Sequence, residues 1–211
     1  MPRNLNTFKM KKVLLSALAV FAFGVANAQE EGGFGFSKGD VIVEGNLSVS
    51  SNSVSSGNST TTTTSYAFRP VGGYFITDKF AVGLGLNIAS EKGSGSGSAE
   101  KNTFGVTAAG RYYFLDLGQR FKVYGQAGLG FDSISTKPGD KKETEIGFVA
   151  GLGVNYFLTK SIAINFGLTD VFSVKNHKVK DVDGSDTKVE LNVNNFSNFF
   201  TTPTFGLTFK F

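Results

Sequence analysis

The segment Thr204-Phe205-Gly206-Leu207-Thr208-Phe209-Lys210-Phe211 alternates apolar side chains with small or polar ones over its whole length. Successive side chains of a strand point to opposite faces. Phe205, Leu207, Phe209 and Phe211 therefore share one face, and Thr204, Gly206, Thr208 and Lys210 the other. Taken alone, such a segment fits a sandwich strand of a soluble protein as well as a strand bathed in an apolar solvent. The segments upstream decide between them.

Seven upstream segments repeat the pattern, at about residues 41–49, 65–76, 80–89, 103–114, 121–132, 145–156 and 162–169. The third is the cleanest, with Phe80, Val82, Leu84, Leu86 and Ile88 set against Ala81, Gly83, Gly85, Asn87 and Ala89. Eight segments of roughly ten residues match the length and even number of tilted strands in a single-chain bacterial barrel. The apolar faces carry no Lys, Arg, Asp or Glu in their central stretches, whereas the opposite faces carry Glu44, Arg69, Arg111, Lys122, Asp132, Glu145 and Lys210. That partition places oil outside and charge inside. Aromatic residues such as Tyr74, Phe80, Phe114, Phe121, Tyr156 and Phe211 gather near the short turns, as interfacial girdles do.

The connections alternate as well. Residues 77–79, 115–120 and 158–160 form short links, while 51–64, 90–102, 136–142 and 174–198 are mostly longer. Short inner turns and long outer loops are the asymmetry of an outer-membrane barrel. The reading is thus all-β: an eight-stranded antiparallel transmembrane up-and-down β-barrel over residues 40–211, in the cell outer membrane. The Ser/Thr/Gly tracts at 51–64 and 93–98 have little apolar surface to bury and are expected to be mobile outside the cell. The segment around Asp183-Gly184 carries a hairpin signal. Counting its flanks as spanning strands would place Lys178 and Lys180, or His177 and Asp181, against lipid, so it is expected to project into water.

At the other end, Met10-Lys11-Lys12, the apolar run Val13 to Val25 and Ala26-Asn27-Ala28 make the three parts of a secretory signal. Cleavage is expected after Ala28, with residues 1–9 an upstream extension and 29–39 a flexible Gly-rich lead-in. The chain has 211 residues and a formal charge of +4. Arg3, Lys9, Lys11 and Lys12, with no acid before Gln29, account for that whole excess, so charge gives no support for a nucleic-acid partner. There is no cysteine for disulfides or thiolate chemistry.

A barrel of eight strands is only just wide enough for side chains to fill. The inward residues are therefore expected to form a packed polar core in which Glu44 and Glu145 pair with members of the set Arg69, Arg111, Lys122 and Lys210, because an unpaired buried charge is costly. Glu44 and Lys210 lie on the first and last strands and are expected to help bind the seam. The alternative use of these charges is an ion path. Enzymatic readings have little material, since His177 is the one histidine and no Ser or acid is fixed beside it by spacing. The run from Asp181 to Asp186 has a calcium-loop flavour but places Asn192 where an EF-hand needs Glu, so neither a metal nor a cofactor is expected.

The Lys11-Lys12 leader, the Ala26-Asn27-Ala28 site, turns such as Ile76-Thr77-Asp78-Lys79-Phe80 and the terminal Phe205 to Phe211 together resemble the small porin-family outer-membrane barrels of the OmpA and OmpX type. The resemblance implies that Leu207, Phe209 and Phe211 form the signal read by the barrel-assembly machinery. Larger relatives continue into a peptidoglycan-binding domain where this chain stops, so cell-wall anchoring is not expected. The extended fourth loop is similar to the protruding edge strands of OmpX-type proteins, which implies adhesion to an extracellular surface ligand. The expected function is that of a non-enzymatic, monomeric barrel held by outer-membrane lipid, with a structural and surface-adhesion role. A narrow diffusion pore and a lipid-modifying enzyme are the alternatives.

Overall fold

The computed structural model describes residues 33–56, 59–94, 98–139, 141–180, 182–191 and 204–211. The leader at 1–28 and the first residues of the lead-in lie outside them. Nine strands follow in order: β1 (Val41–Ser56), β2 (Ser59–Phe75), β3 (Phe80–Ser94), β4 (Glu100–Leu117), β5 (Phe121–Lys137), β6 (Lys141–Phe157), β7 (Ile162–Val179), β8 (Asp186–Leu191) and β9 (Thr204–Lys210). Each of the first seven pairs antiparallel with the next, and β9 pairs with both β7 and β1, closing a ring of eight. Closure leaves the ring without free edges at that level. The ninth strand, β8, pairs with the outer half of β7 across a turn in which Gly184 has φ 107°.

The pleat sorts the residues as an inverted core. Outward Leu84 and Leu129 are 71% and 63% exposed, whereas inward Phe75 and Phe157 are fully buried. Exposed rows of Leu, Val, Ile and Phe on every face are costly in water and favourable in hydrocarbon. Inner turns are fixed by threonine hydroxyls: Phe80 N donates to Thr77 Oγ1 (3.0 Å) and Ile162 N to Thr159 Oγ1 (3.0 Å).

Two regions depart from the expectation. The described residues of the tracts at 51–64 and 90–102 are largely strand, because β1 and β2 run on to Ser56 and Ser59 and β3 and β4 approach each other to Ser94 and Glu100, with residues 57–58 and 95–97 outside those described. Their side chains bury little, but β-branched threonines suit an extended backbone and the hydroxyls pair across it. Ser53 meets Thr62 at 2.9 Å and Ser55 meets Thr60 at 3.0 Å. The lead-in is also not free: within it, Gly33–Gly39 folds back into the inner mouth of the barrel. Gly35 and Gly39 make the bends at φ 128° and 97°, a region that other residues rarely enter. Gly39 N then donates to Phe75 O (2.9 Å) and Lys38 N to Asp78 Oδ1 (2.7 Å).

Inward glycines make room for the large polar side chains. A Cβ on Gly153 would collide with the hydroxyl end of the Tyr124 ring, so Gly153→Ala must displace that ring or the strand. Overpacking of this kind costs about 1–3 kcal/mol, and the expected result is a lowered urea midpoint for the variant refolded in detergent.

Candidate functional site

The polar centre of the lumen is assembled from six of the eight ring strands. Glu44 comes from β1, Arg111 and Tyr113 from β4, Tyr124 and Gln126 from β5, Asn155 from β6, Asn165 from β7 and Thr208 from β9. Arg111 grips Glu44 with both terminal nitrogens, Nη1 to Oε2 at 2.8 Å and Nη2 to Oε1 at 3.1 Å. This fork is the strongest geometry open to the pair. Asn165 Nδ2 and the Thr208 hydroxyl each donate to Glu44 Oε2 at 2.9 Å. Nε and Nη2 of Arg111 also donate to Gln126 Oε1 at 2.9 and 2.7 Å, and the guanidinium lies 4.1 Å from the centre of the Tyr124 ring. A second tier ties Tyr113 Oη to Asn155 Oδ1 (2.9 Å) and Asn155 Nδ2 to Thr208 Oγ1 (3.1 Å). Because Thr208 accepts from one amide and donates to the carboxylate, the two tiers form one network.

Beneath this layer lies an aromatic plug. Phe36 stacks on Phe75 at 4.4 Å between centroids and meets Tyr113 at 4.8 Å and Phe157 at 5.1 Å. Phe34 sits on the guanidinium of Arg120 at 4.5 Å. Above the layer the lumen widens into a cavity of about 400 Å³ whose lining includes Arg69, Gln126, Asp132, Glu145, Asp170 and Lys175. Asn87 Nδ2 donates there to Asp132 Oδ1 at 2.9 Å.

The named charges are thus distributed over three levels. Glu44 and Arg111 meet, and Arg69 is exposed in the outer cavity without an ion pair among the described residues. Glu145 does not pair with the expected set: it lies at the outer end and reaches Lys175 at 3.4 Å. Lys122 and Lys210 lie at the inner rim instead, where Lys122 pairs with Asp116 (3.0 Å) and Lys210 approaches Asp40 (3.9 Å) and donates to Gly35 O (2.9 Å). Register explains the miss at the seam. Thr208 stands opposite Glu44, and Lys210 stands opposite Ile42, one pleat nearer the periplasm. Lys210 therefore holds the plug segment and not the first strand's carboxylate. The partners Gln126, Asn155, Asn165 and Thr208 all sit at inward positions of their strands, so their direction was readable; their mutual contact depends on the stagger between strands.

The terminal residues lie on the seam itself. Leu207 is opposite Gly45 and Ile164, and Phe209 is opposite Val43 and Ile162 with 7% of its surface exposed. Phe211 exchanges both backbone hydrogen bonds with Val41, at 2.9 and 3.0 Å.

At the outer rim, His177 Nε2 lies 3.0 Å from Glu143 Oε2, and Lys141 Nζ lies 2.7 Å from its other oxygen. Lys141 first, then His177, hold the Glu143 carboxyl below the usual carboxylate range. Asp181 lies outside the described residues, and among those described no group of three His, Cys, Asp or Glu could hold a metal ion.

The family model for the outer membrane protein beta-barrel domain matches residues 13–209. Among solved structures, OprG from Pseudomonas aeruginosa is similar at 17% identity, covering 84% of this chain and 98% of its own, with a TM-score of 0.47. Neisserial surface protein A is similar at 18%, covering 82% and 98%, with a TM-score of 0.49. Outer Membrane Protein W of E. coli is similar at 14%, covering 83% and 99%, with a TM-score of 0.47. No curated protein matches.

Proposed function

We infer a role from one premise: this chain belongs to the outer membrane protein β-barrel domain family and resides in the cell outer membrane. On that premise it is a non-enzymatic, non-conducting barrel that acts through its outer end, as a monomer whose projecting strands engage an extracellular surface. The observation that carries this reading is the doubly obstructed lumen, with the Glu44–Arg111 layer backed by the Phe36 plug. A solute path would have to break a bidentate buried ion pair and then displace an aromatic stack. The outer end, by contrast, is elaborate. Strands β1 and β2 rise as a hydroxyl-coated ribbon, and β8 adds a further strand bearing exposed Val189 and Leu191. Leu207, Phe209 and Phe211 serve in this reading as the assembly signal, their apolar face being offered at the strand that closes the ring last. His177 is held by Glu143, whose other oxygen is taken by Lys141, which suits a structural tie better than a general base.

Two measurements test the reading together. In planar bilayers the refolded chain is expected to give no stepwise conductance. Cells displaying it are expected to lose adherence to surfaces when residues 182–191 are replaced by a short Gly-Ser link, with the barrel still heat-modifiable on gels. Stepwise conductance would favour the pore, and unchanged adherence would remove the role of the hairpin.

A further inference from the structure

The outward face of the barrel changes character in the same order on five adjacent strands. The last large apolar residues before the exterior are Ile88 on β3, Phe104 on β4, Phe131 on β5, Ile146 on β6 and Val174 on β7. Two residues further out, the same face carries Ser90, Asn102, Ser133, Thr144 and Asn176. Beyond these it carries charge: Lys92 on β3, Glu100 on β4, Lys137 on β5, Lys142 on β6 and Lys178 on β7, with Lys180 just past the strand end and bonded through its backbone N to Lys142 O at 2.8 Å. Cross-strand register aligns these positions, since Lys92 faces Glu100, Glu100 faces Lys137 and Thr144 faces Lys178.

The result is a belt of five lysines and one glutamate looking away from the barrel. All five lysines are exposed, and among the described residues none makes an ion pair. The inward positions at the same level are mixed, with Glu91, Glu143 and Glu145 beside Lys101, Lys141 and Lys175. The inner turns are mixed too, with Asp78 and Asp116 alongside Lys79, Arg120 and Lys160. The segregation of positive charge is therefore particular to the outward side of the outer rim. Lys92, Glu100, Lys142 and Lys178 stand four residues beyond the last large apolar residue, about 13 Å along the strand or about 9 Å along the axis at a tilt near 45°, and Lys137 and Lys180 stand six beyond, about 20 Å or about 14 Å. That places the lysine stems over the top of the hydrocarbon and their ammonium groups in the headgroup layer.

We propose that this belt is a binding surface for phosphate-bearing headgroups of the outer leaflet, which ring the barrel on the β3 to β7 side. A lipid headgroup suits the geometry better than a soluble polyanion because the lysines point sideways, level with the membrane surface, and not upward from the loop tips. The cavity between the β3–β4 and β5–β6 hairpins is lined by Lys92, Glu100 and Lys137, so a headgroup there meets two cations and one carboxylate. The proposal rests on residence in the outer membrane and not on the adhesive role, so the two fail separately.

The test compares the full chain with K92Q/K137Q/K142Q/K178Q/K180Q in phosphatidylcholine nanodiscs doped with spin-labelled phosphatidic acid or spin-labelled phosphatidylcholine. The wild-type barrel is expected to immobilise the phosphomonoester lipid about fivefold or more in preference to phosphatidylcholine, and high salt is expected to erase the preference. The variant is expected to show none, while keeping heat-modifiable migration. Should the fivefold variant fail to fold, K92Q/K137Q and the salt titration of the wild type supply the same comparison. Equal preference in wild type and folded variant, or none in the wild type, would overturn the proposal. So would lysine-dependent binding of a soluble sulfated polysaccharide without any lipid preference, which would assign the belt to a different class of partner.

Discussion

Arg111→Ala is expected to unfold at a much lower urea concentration than the parent barrel, with a loss of about 3–5 kcal/mol, because it strands a buried carboxylate. Glu44 is 2% exposed, and its remaining donors, Asn165, Thr208 and a long contact from Asn46 at 3.4 Å, are neutral. They can solvate a charge only in part. Glu44→Ala is expected to cost a similar amount by leaving the guanidinium with only neutral partners, Gln126, a long contact to the Tyr113 hydroxyl at 3.4 Å and the Tyr124 ring. The informative variant is the double one. With Glu44→Leu and Arg111→Met together, no unpaired ion remains, and the loss is expected to fall short of the sum of the two singles by about 2 kcal/mol or more. Reversible unfolding followed by far-ultraviolet circular dichroism and by gel shift would measure all corners of the cycle. Strict additivity would mean that the two side chains do not act as a pair, whatever their separation.

What could be read from the residues was set by the period of two. Alternation fixes which face a residue takes, so the outward rows and the inward placement of Glu44, Arg69 and Arg111 followed from local sequence. The partner of an inward charge depends on strand stagger, which no single strand encodes, and so Glu145 and Lys210 met groups other than the expected ones. The outer tracts differ from the expectation for another reason. Reading serine and threonine as loop formers weighs burial alone, whereas a ribbon such as Ser53–Thr62 and Ser55–Thr60 is held by its ladder and cross-strand hydroxyls. The plug shows the opposite error. Glycine near Phe34 and Phe36 suggested flexibility, yet those glycines supply the bends that let two aromatic rings enter the barrel mouth.

That plug gives the second large effect. Phe36→Ala removes a ring packed on Phe75, Tyr113 and Phe157, and a deletion of this size costs about 3 kcal/mol. Part of the loss is expected to appear locally, as faster hydrogen exchange at Gly39 and Lys38, whose amides are held by Phe75 O and Asp78. Conductance separates the plug from the charge layer above it. The two obstructions lie in series, so Phe36→Ala alone is expected to remain silent in planar bilayers, as is Arg111→Ala alone. Opening requires both, and the combined variant is expected to pass current in steps while each parent does not. If Phe36→Ala by itself conducts, the Arg111–Glu44 layer is permeable and the lumen is sealed only by its inner mouth. If the combined variant stays silent while folded, the obstruction lies elsewhere, in the ring of Tyr113 and Tyr124 that joins the two layers.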